Sequence, residues 1–191
     1  GVSYSGGFVS GVDAYDTHQS TFKNCYSTAM VGMGAAAQNM GGIVGSTAPI
    51  TSTSPAIAFE NCYAAGEVGT LKSKPDGTAV DDSGTVVTTT GGFAGGVGPT
   101  TTMTNCYYDK QTTGSAEKGI NDAPSPMVSG LLTKSLTTKN MGAGWSTSNG
   151  STYPQLSAFT TGTWGGSAKL GELARAYSQA SVSTVFLYPC N

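Results

Sequence analysis

Apolar and polar positions alternate in short runs along most of the chain, and paired glycines punctuate the runs. In the segment 59–68, FENCYAAGEV, Phe59 falls on one face and Glu60 on the other. Cys62, Ala64, Gly66 and Val68 then return to the face of Phe59. Such alternation marks a strand with one buried face. The glycine pairs Gly6-Gly7, Gly41-Gly42 and Gly91-Gly92 each precede an apolar pair, Phe8-Val9, Ile43-Val44 and Phe93-Ala94. Another glycine follows at Gly11, Gly45 and Gly95 or Gly96. Helical spacing enters only late. Residues 129–141 read as a short helix carrying Leu131, Leu132 and Leu136. Leu170, Leu173, Ala174 and Tyr177 form a second helical pattern behind Ser167 as N-cap, and 182–188 reads as a strand.

The alternating runs belong to an internal repeat. Asn24-Cys25-Tyr26, Asn61-Cys62-Tyr63 and Asn105-Cys106-Tyr107 share one tripeptide, with Phe22, Phe59 and Met103 two residues before each asparagine. The cysteines are 37 and 44 residues apart, so the motif is constant while the intervening loops vary. Rigid repeats with insertions leaving from one face give this pattern. A single repeat exposes its apolar face, and stacking buries it. The expected fold is all-β: a parallel β-helix-like solenoid of about three coils, with a C-terminal cap containing short helices. Residues 1–119 form the solenoid repeats, 120–166 a linker and capping segment, and 167–191 a second cap or the start of a following domain. In the linker, Pro124 and Pro126 carry the chain across the end of the coils. Leu131, Leu132 and Leu136, with Trp145, Tyr153 and Leu156, cover that end.

Each repeated residue has a physical assignment. The glycines serve corners that need unusual dihedrals or close backbone approach. The asparagines suit turns because they tolerate left-handed backbone, and stacked asparagines form ladders. The cysteines stack one per coil as small, buried, reduced thiols filling the core. Cys190 lies outside the repeat and has no assigned partner.

Composition narrows the function. Charged residues are 10% of the chain, the net charge is −2 and there are 28 glycines. Nucleic acid and anionic membranes call for a basic surface that is lacking here. No apolar run has the length of a membrane span. The opening GVSYSGGFVS has no signal-peptide pattern. It reads as the middle of a strand, so the chain is expected to be a piece of something longer. The lone His18 has Asp13 and Asp16 near it in sequence but no catalytic motif around it, and it reads as a loop residue. Asp76, Asp81 and Asp82 offer oxygen ligands without a calcium-loop pattern and read as a solvated turn. No metal or cofactor site is assigned.

The Gly-Gly-apolar-x-Gly half and the Asn-Cys-Tyr half together resemble the GLUG-motif repeats of bacterial surface proteins. GGIVG at 41–45 and NCYAAGEV at 61–68 carry the likeness best. The run NCYYDKQTTGSAEKG at 105–119 is similar to the closing coil of such arrays. LTTKNM at 136–141, the GW pair at 144–145 and TYPQL at 152–156 are similar to the tail that follows it. The resemblance spans about residues 6–156. It implies a secreted or cell-surface module without catalytic residues, acting as adhesin or stalk through its variable loops. The partners it implies are a host glycan or a protein, and an open first coil adds end-to-end self-association. Tyr4, Tyr15 and Tyr108 read either as sugar-stacking residues or as core or corner residues. The alternative reading is a carbohydrate-active β-helix enzyme. That reading needs clustered carboxylates, and Asp13, Asp16, Glu60, Glu67, Asp109 and Glu117 make no evident pair.

Overall fold

A computed structural model describes residues 4–12, 19–31, 39–47, 56–69, 72–73, 79–80, 90–114, 118–120, 127–146 and 150–160. The first repeat supplies β1 (Tyr4–Gly6), β2 (Val9–Gly11), β3 (Ser20–Lys23) and β4 (Tyr26–Ser27). The second supplies β5 (Asn39–Gly41), β6 (Val44–Ser46), β7 (Ile57–Glu60) and β8 (Tyr63–Ala64). A short antiparallel pair follows, β9 (Lys72–Ser73) with β10 (Ala79–Val80). The third repeat gives β11 (Thr90–Gly91), β12 (Ala94–Gly96), β13 (Thr101–Thr104) and β14 (Cys106–Asp109), and β15 is Val128–Leu131. Two short helices follow, α1 (Thr133–Thr137) and α2 (Ser157–Thr160).

The fold is all-β with parallel pairing. Corresponding strands of the repeats lie side by side, in the orders β1-β5-β11, β2-β6-β12, β3-β7-β13 and β4-β8-β14-β15. The register matches the sequence repeat residue for residue. Gly6, Gly41 and Gly91 align, as do Val9, Val44 and Ala94. Phe22, Phe59 and Met103 align, and so do Tyr26, Tyr63 and Tyr107. A one-residue slip would turn every apolar side chain outward, which is why the pattern holds the register.

The glycine pairs act by close approach. A Cβ on Gly6, Gly41 or Gly91 would lie 1.9, 2.1 or 2.0 Å from the carbonyl oxygen three residues on, that of Val9, Val44 or Ala94. Only a residue without a side chain permits so tight a bend. Among the described residues the non-glycine left-handed positions fall elsewhere, at Asn24, Asn61 and Asn105, with φ of 55°, 52° and 52°. This corner explains the break in alternation between Phe59 and Cys62. They are an odd number of residues apart, yet both point inward because Asn61 turns the chain between them.

Two compact units divide the chain at Thr133 and Lys134. In the first, Ile43, Val44, Ile57, Phe59, Cys62, Ala64, Phe93 and Ala94 are fully buried and form the centre of the core. Each large side chain so buried contributes about 1.5–3 kcal/mol. The expectations for the region after 119 need correction. Ile120 bridges to Ala94, and Val128–Leu131 is a strand on β14 where a helix was expected from 129. The backbone groups of the β14 edge are paired by this extra strand. The helix is confined to Thr133–Thr137, with Leu136 fully buried and Leu132 56% exposed. In the second unit, Trp145 bridges antiparallel to Leu156, and Ser146 N donates to Gln155 O at 2.7 Å. The elements expected over 167–188 lie outside the described residues.

Candidate functional site

The repeat places like side chains over one another, and these ladders are the most organised chemistry in the described residues. At the corner, Asn61 Nδ2 donates to Asn24 Oδ1 at 3.4 Å and Asn105 Nδ2 donates to Asn61 Oδ1 at 3.2 Å. Phe22 and Phe59 stack with centroids 4.9 Å apart, and Tyr26 and Tyr63 stack at 5.3 Å. Phe93 meets Phe59 edge-on. Stacked and edge-on pairs add about 0.5–1.5 kcal/mol each beyond their burial.

Cys25, Cys62 and Cys106 form the third ladder and are free thiols. Cys62 Sγ accepts from the amide of Cys25 at 3.4 Å and donates to the carbonyl of Glu60 at 3.2 Å. Cys106 Sγ donates to the carbonyls of Phe59 and Thr104 at 3.5 Å. The hydrogen bond to Cys106 and then burial push the Cys62 thiol up to about 12. Cys25 is also pushed up, chiefly by its bond with Cys62 and next by burial. Cys106 is the one lowered, by the same bond seen from the other side. The two raised thiols therefore stay protonated at neutral pH, the unreactive form.

The second glycine of each pair makes room for the residue after the Asn-Cys-Tyr motif. A Cβ on Gly7 would meet the Ser27 hydroxyl at 2.3 Å, and one on Gly42 the Ala64 methyl at 2.5 Å. One on Gly92 would lie 2.2 Å from the Tyr108 ring. Gly119 and Gly130 close on the same ring, at 2.7 and 2.6 Å. Tyr108 is thus a core residue, 3% exposed, which selects the core reading over the sugar-stacking one. Tyr4 is half-buried, and Tyr15 lies outside the described residues.

The acidic residues are dispersed. Asp109 is fully buried, and its Oδ1 accepts from the amides of Gln111 and Thr112 at 2.8 and 3.1 Å, which fixes the turn after β14. Glu60 pairs with Lys23 at 3.1 Å on the surface, an arrangement worth about 0–1 kcal/mol. Glu67 is exposed. His18, Asp13, Asp16, Asp76, Asp81, Asp82, Glu117 and Cys190 lie outside the described residues. Among the described residues no group of three potential metal ligands occurs.

The sequence reading missed three features. The glycine cradle around Tyr108 was unmarked because the doubled tyrosine occurs only in the third repeat. The Thr47–Thr101 hydroxyl pair, buried at 2.6 Å, joins the residue after β6 to the first residue of β13. The further layer of Lys118–Ile120 and β15 was signalled only by the short Gly119-Ile120 echo of the Gly-apolar motif. Comparison with known proteins gives no matching family model, no matching curated protein and no matching solved structure.

Proposed function

We propose that the chain is a β-solenoid module of a bacterial cell-surface or secreted protein, non-catalytic, serving as adhesin or stalk and binding through its variable loops. One observation carries the reading. Successive repeats pair in parallel register at every shared position, while their connecting segments differ in length. A rigid spine with variable loops separates support from recognition. The likeness to GLUG-motif repeats supports the surface location. The described carboxylates favour the binding module over the enzyme, since Asp109 is held in a turn and Glu60 in an ion pair.

A glycan array probed with the purified chain, with and without calcium, tests the proposal. Selective binding is expected of an adhesin, and calcium dependence would assign a role to the loop holding Asp76, Asp81 and Asp82. A blank array together with failure to bind host cells would leave the stalk. Turnover of a polysaccharide would overturn the proposal in favour of the enzyme.

A further inference from the structure

Cys62 and Cys106 are neighbours in two repeats whose backbones are fixed on both sides of them. Ahead of the pair, Asn61 N donates to Thr104 O at 3.0 Å, and behind it Tyr107 N donates to Cys62 O at 2.9 Å. The register of Tyr63 with Tyr107 runs on through them. Their Cα atoms therefore lie about one strand spacing apart, about 4.8 Å. A disulfide spans about 4.4–6.8 Å between Cα atoms, so the pair is within reach of one. Cys106 Sγ already leans across the gap, since it donates to the carbonyl of Phe59 in the second repeat at 3.5 Å. The two thiols are also hydrogen-bonded to each other.

Their chemical roles differ. Of the three ladder thiols, Cys106 is the one held below its ordinary value, first by the hydrogen bond from Cys62. The thiolate is the attacking form of cysteine. Cys62 stays protonated beside it. Cys62 is fully buried and Cys106 is 2% exposed, so an oxidant that reaches them must be small.

We propose that Cys62 and Cys106 are a reversible redox pair, closed to a disulfide by a hydroperoxide of the size of hydrogen peroxide. The Cys106 thiolate attacks one peroxide oxygen, the O–O bond breaks and the sulfur becomes a sulfenic acid. The hydroxide released takes up the proton that Cys106 lost. The Cys62 sulfur then attacks the Cys106 sulfur. The S–S bond forms as the S–O bond breaks, and the leaving hydroxide takes the proton of Cys62. Two thiols and one peroxide give one disulfide and two waters, with two electrons passing from sulfur to oxygen. In-register side chains hold their Cβ atoms about 4.8 Å apart, and a bridge draws them to about 3.5–4.5 Å. Such a bridge is strained, and strained bridges are the readily reduced ones. Closure ties the second repeat to the third across residues 63–105, the stretch that holds β9 and β10. The proposal does not use the cell-surface reading, so either can fail alone.

The test exposes the full, folded chain to hydrogen peroxide, then unfolds it with an alkylating reagent present and maps the peptides by mass spectrometry. A Cys62–Cys106 link is expected, with Cys25 alkylated, and glutathione added before unfolding should restore both thiols. Cys25→Ala should form the same link. Cys62→Ala should leave a sulfenic acid on Cys106 that dimedone traps, and Cys25→Ala decides the matter if Cys62→Ala does not fold. Peroxide added in urea should spread the links over other pairs, because only the fold selects this one. The proposal is overturned if Cys62 and Cys106 stay free in the folded chain, or if Cys62 links to Cys25 instead. It is equally overturned if glutathione does not reopen the bridge, or if the chain in urea gives the same link in the same yield.

Discussion

Phe22 and Phe59 stack at 4.9 Å with their planes 12° apart, yet Phe59 is fully buried and Phe22 only half-buried. The same contact therefore sits in two environments. Phe59 also meets Phe93 edge-on, so its removal leaves a cavity closed on both sides. Phe59→Ala should cost about 3–5 kcal/mol, the usual range for a buried ring. Phe22→Ala should cost about half as much, because water already reaches that site. Urea unfolding of the two variants checks the order. Equal losses would mean that the first repeat is as enclosed as the second.

The asparagine corners separate backbone strain from side-chain bonding. At Asn61, φ is 52°, and its amide groups join Asn24 and Asn105 at 3.4 and 3.2 Å. Those contacts are long for hydrogen bonds, so the left-handed backbone should dominate. Asn61→Ala incurs about 1–2 kcal/mol for that conformation and up to about 1 kcal/mol for the ladder. Asn61→Gly keeps the backbone free and loses only the ladder. Thermal melts should place the glycine variant between the wild type and the alanine variant.

Much of this arrangement was legible in the sequence because the repeat and the register are one thing. Aligning Gly41 with Gly91 and Tyr63 with Tyr107 on paper reproduces their pairing in space. The corner role of asparagine was legible for the same reason, since few residues other than glycine adopt left-handed backbone readily. The last layer was not legible. Val128–Leu131 contains leucine and glycine with no clear alternation, and its strand state comes from the open edge of β14. Long-range pairing of this kind overrides local preference. Whether Tyr108 served sugar stacking or the core was open in the sequence, because a sequence does not show that Gly92, Gly119 and Gly130 converge on one ring.

Glycine substitutions should split sharply by site. A Cβ at Gly41 would lie 2.1 Å from Val44 O and 2.6 Å from the Ala94 backbone, so main chain must move in two repeats. At Gly11 the nearest atom is 3.6 Å away, ordinary contact. Gly41→Ala should prevent folding or lower the melting point by many degrees. Gly11→Ala should be neutral or stabilise by about 0.4–1 kcal/mol through the unfolded chain. Circular dichroism melts of both variants suffice. A folded, wild-type-like Gly41→Ala protein would refute the close approach of the first bend.

The thiol ladder makes stability depend on alkaline pH. Cys62 is raised from 9.0 to about 12 by its hydrogen bond to Cys106 and by burial. A thiol ionises more readily in the unfolded chain than in this site, so the unfolded state releases its proton first. The contribution is complete below about pH 9 and is lost as pH rises towards about 12. Cys25, raised by its bond to Cys62, acts in the same direction, and Cys106, lowered, acts against it. Cys62→Ala removes the central thiol and relieves both neighbours of their partner. The variant should be less stable than the wild type at pH 7, because it loses a buried side chain. Its stability should then fall less steeply between pH 9 and 11. Urea midpoints measured across that range with reductant present give the comparison, and parallel slopes would show that the three thiols titrate independently of folding.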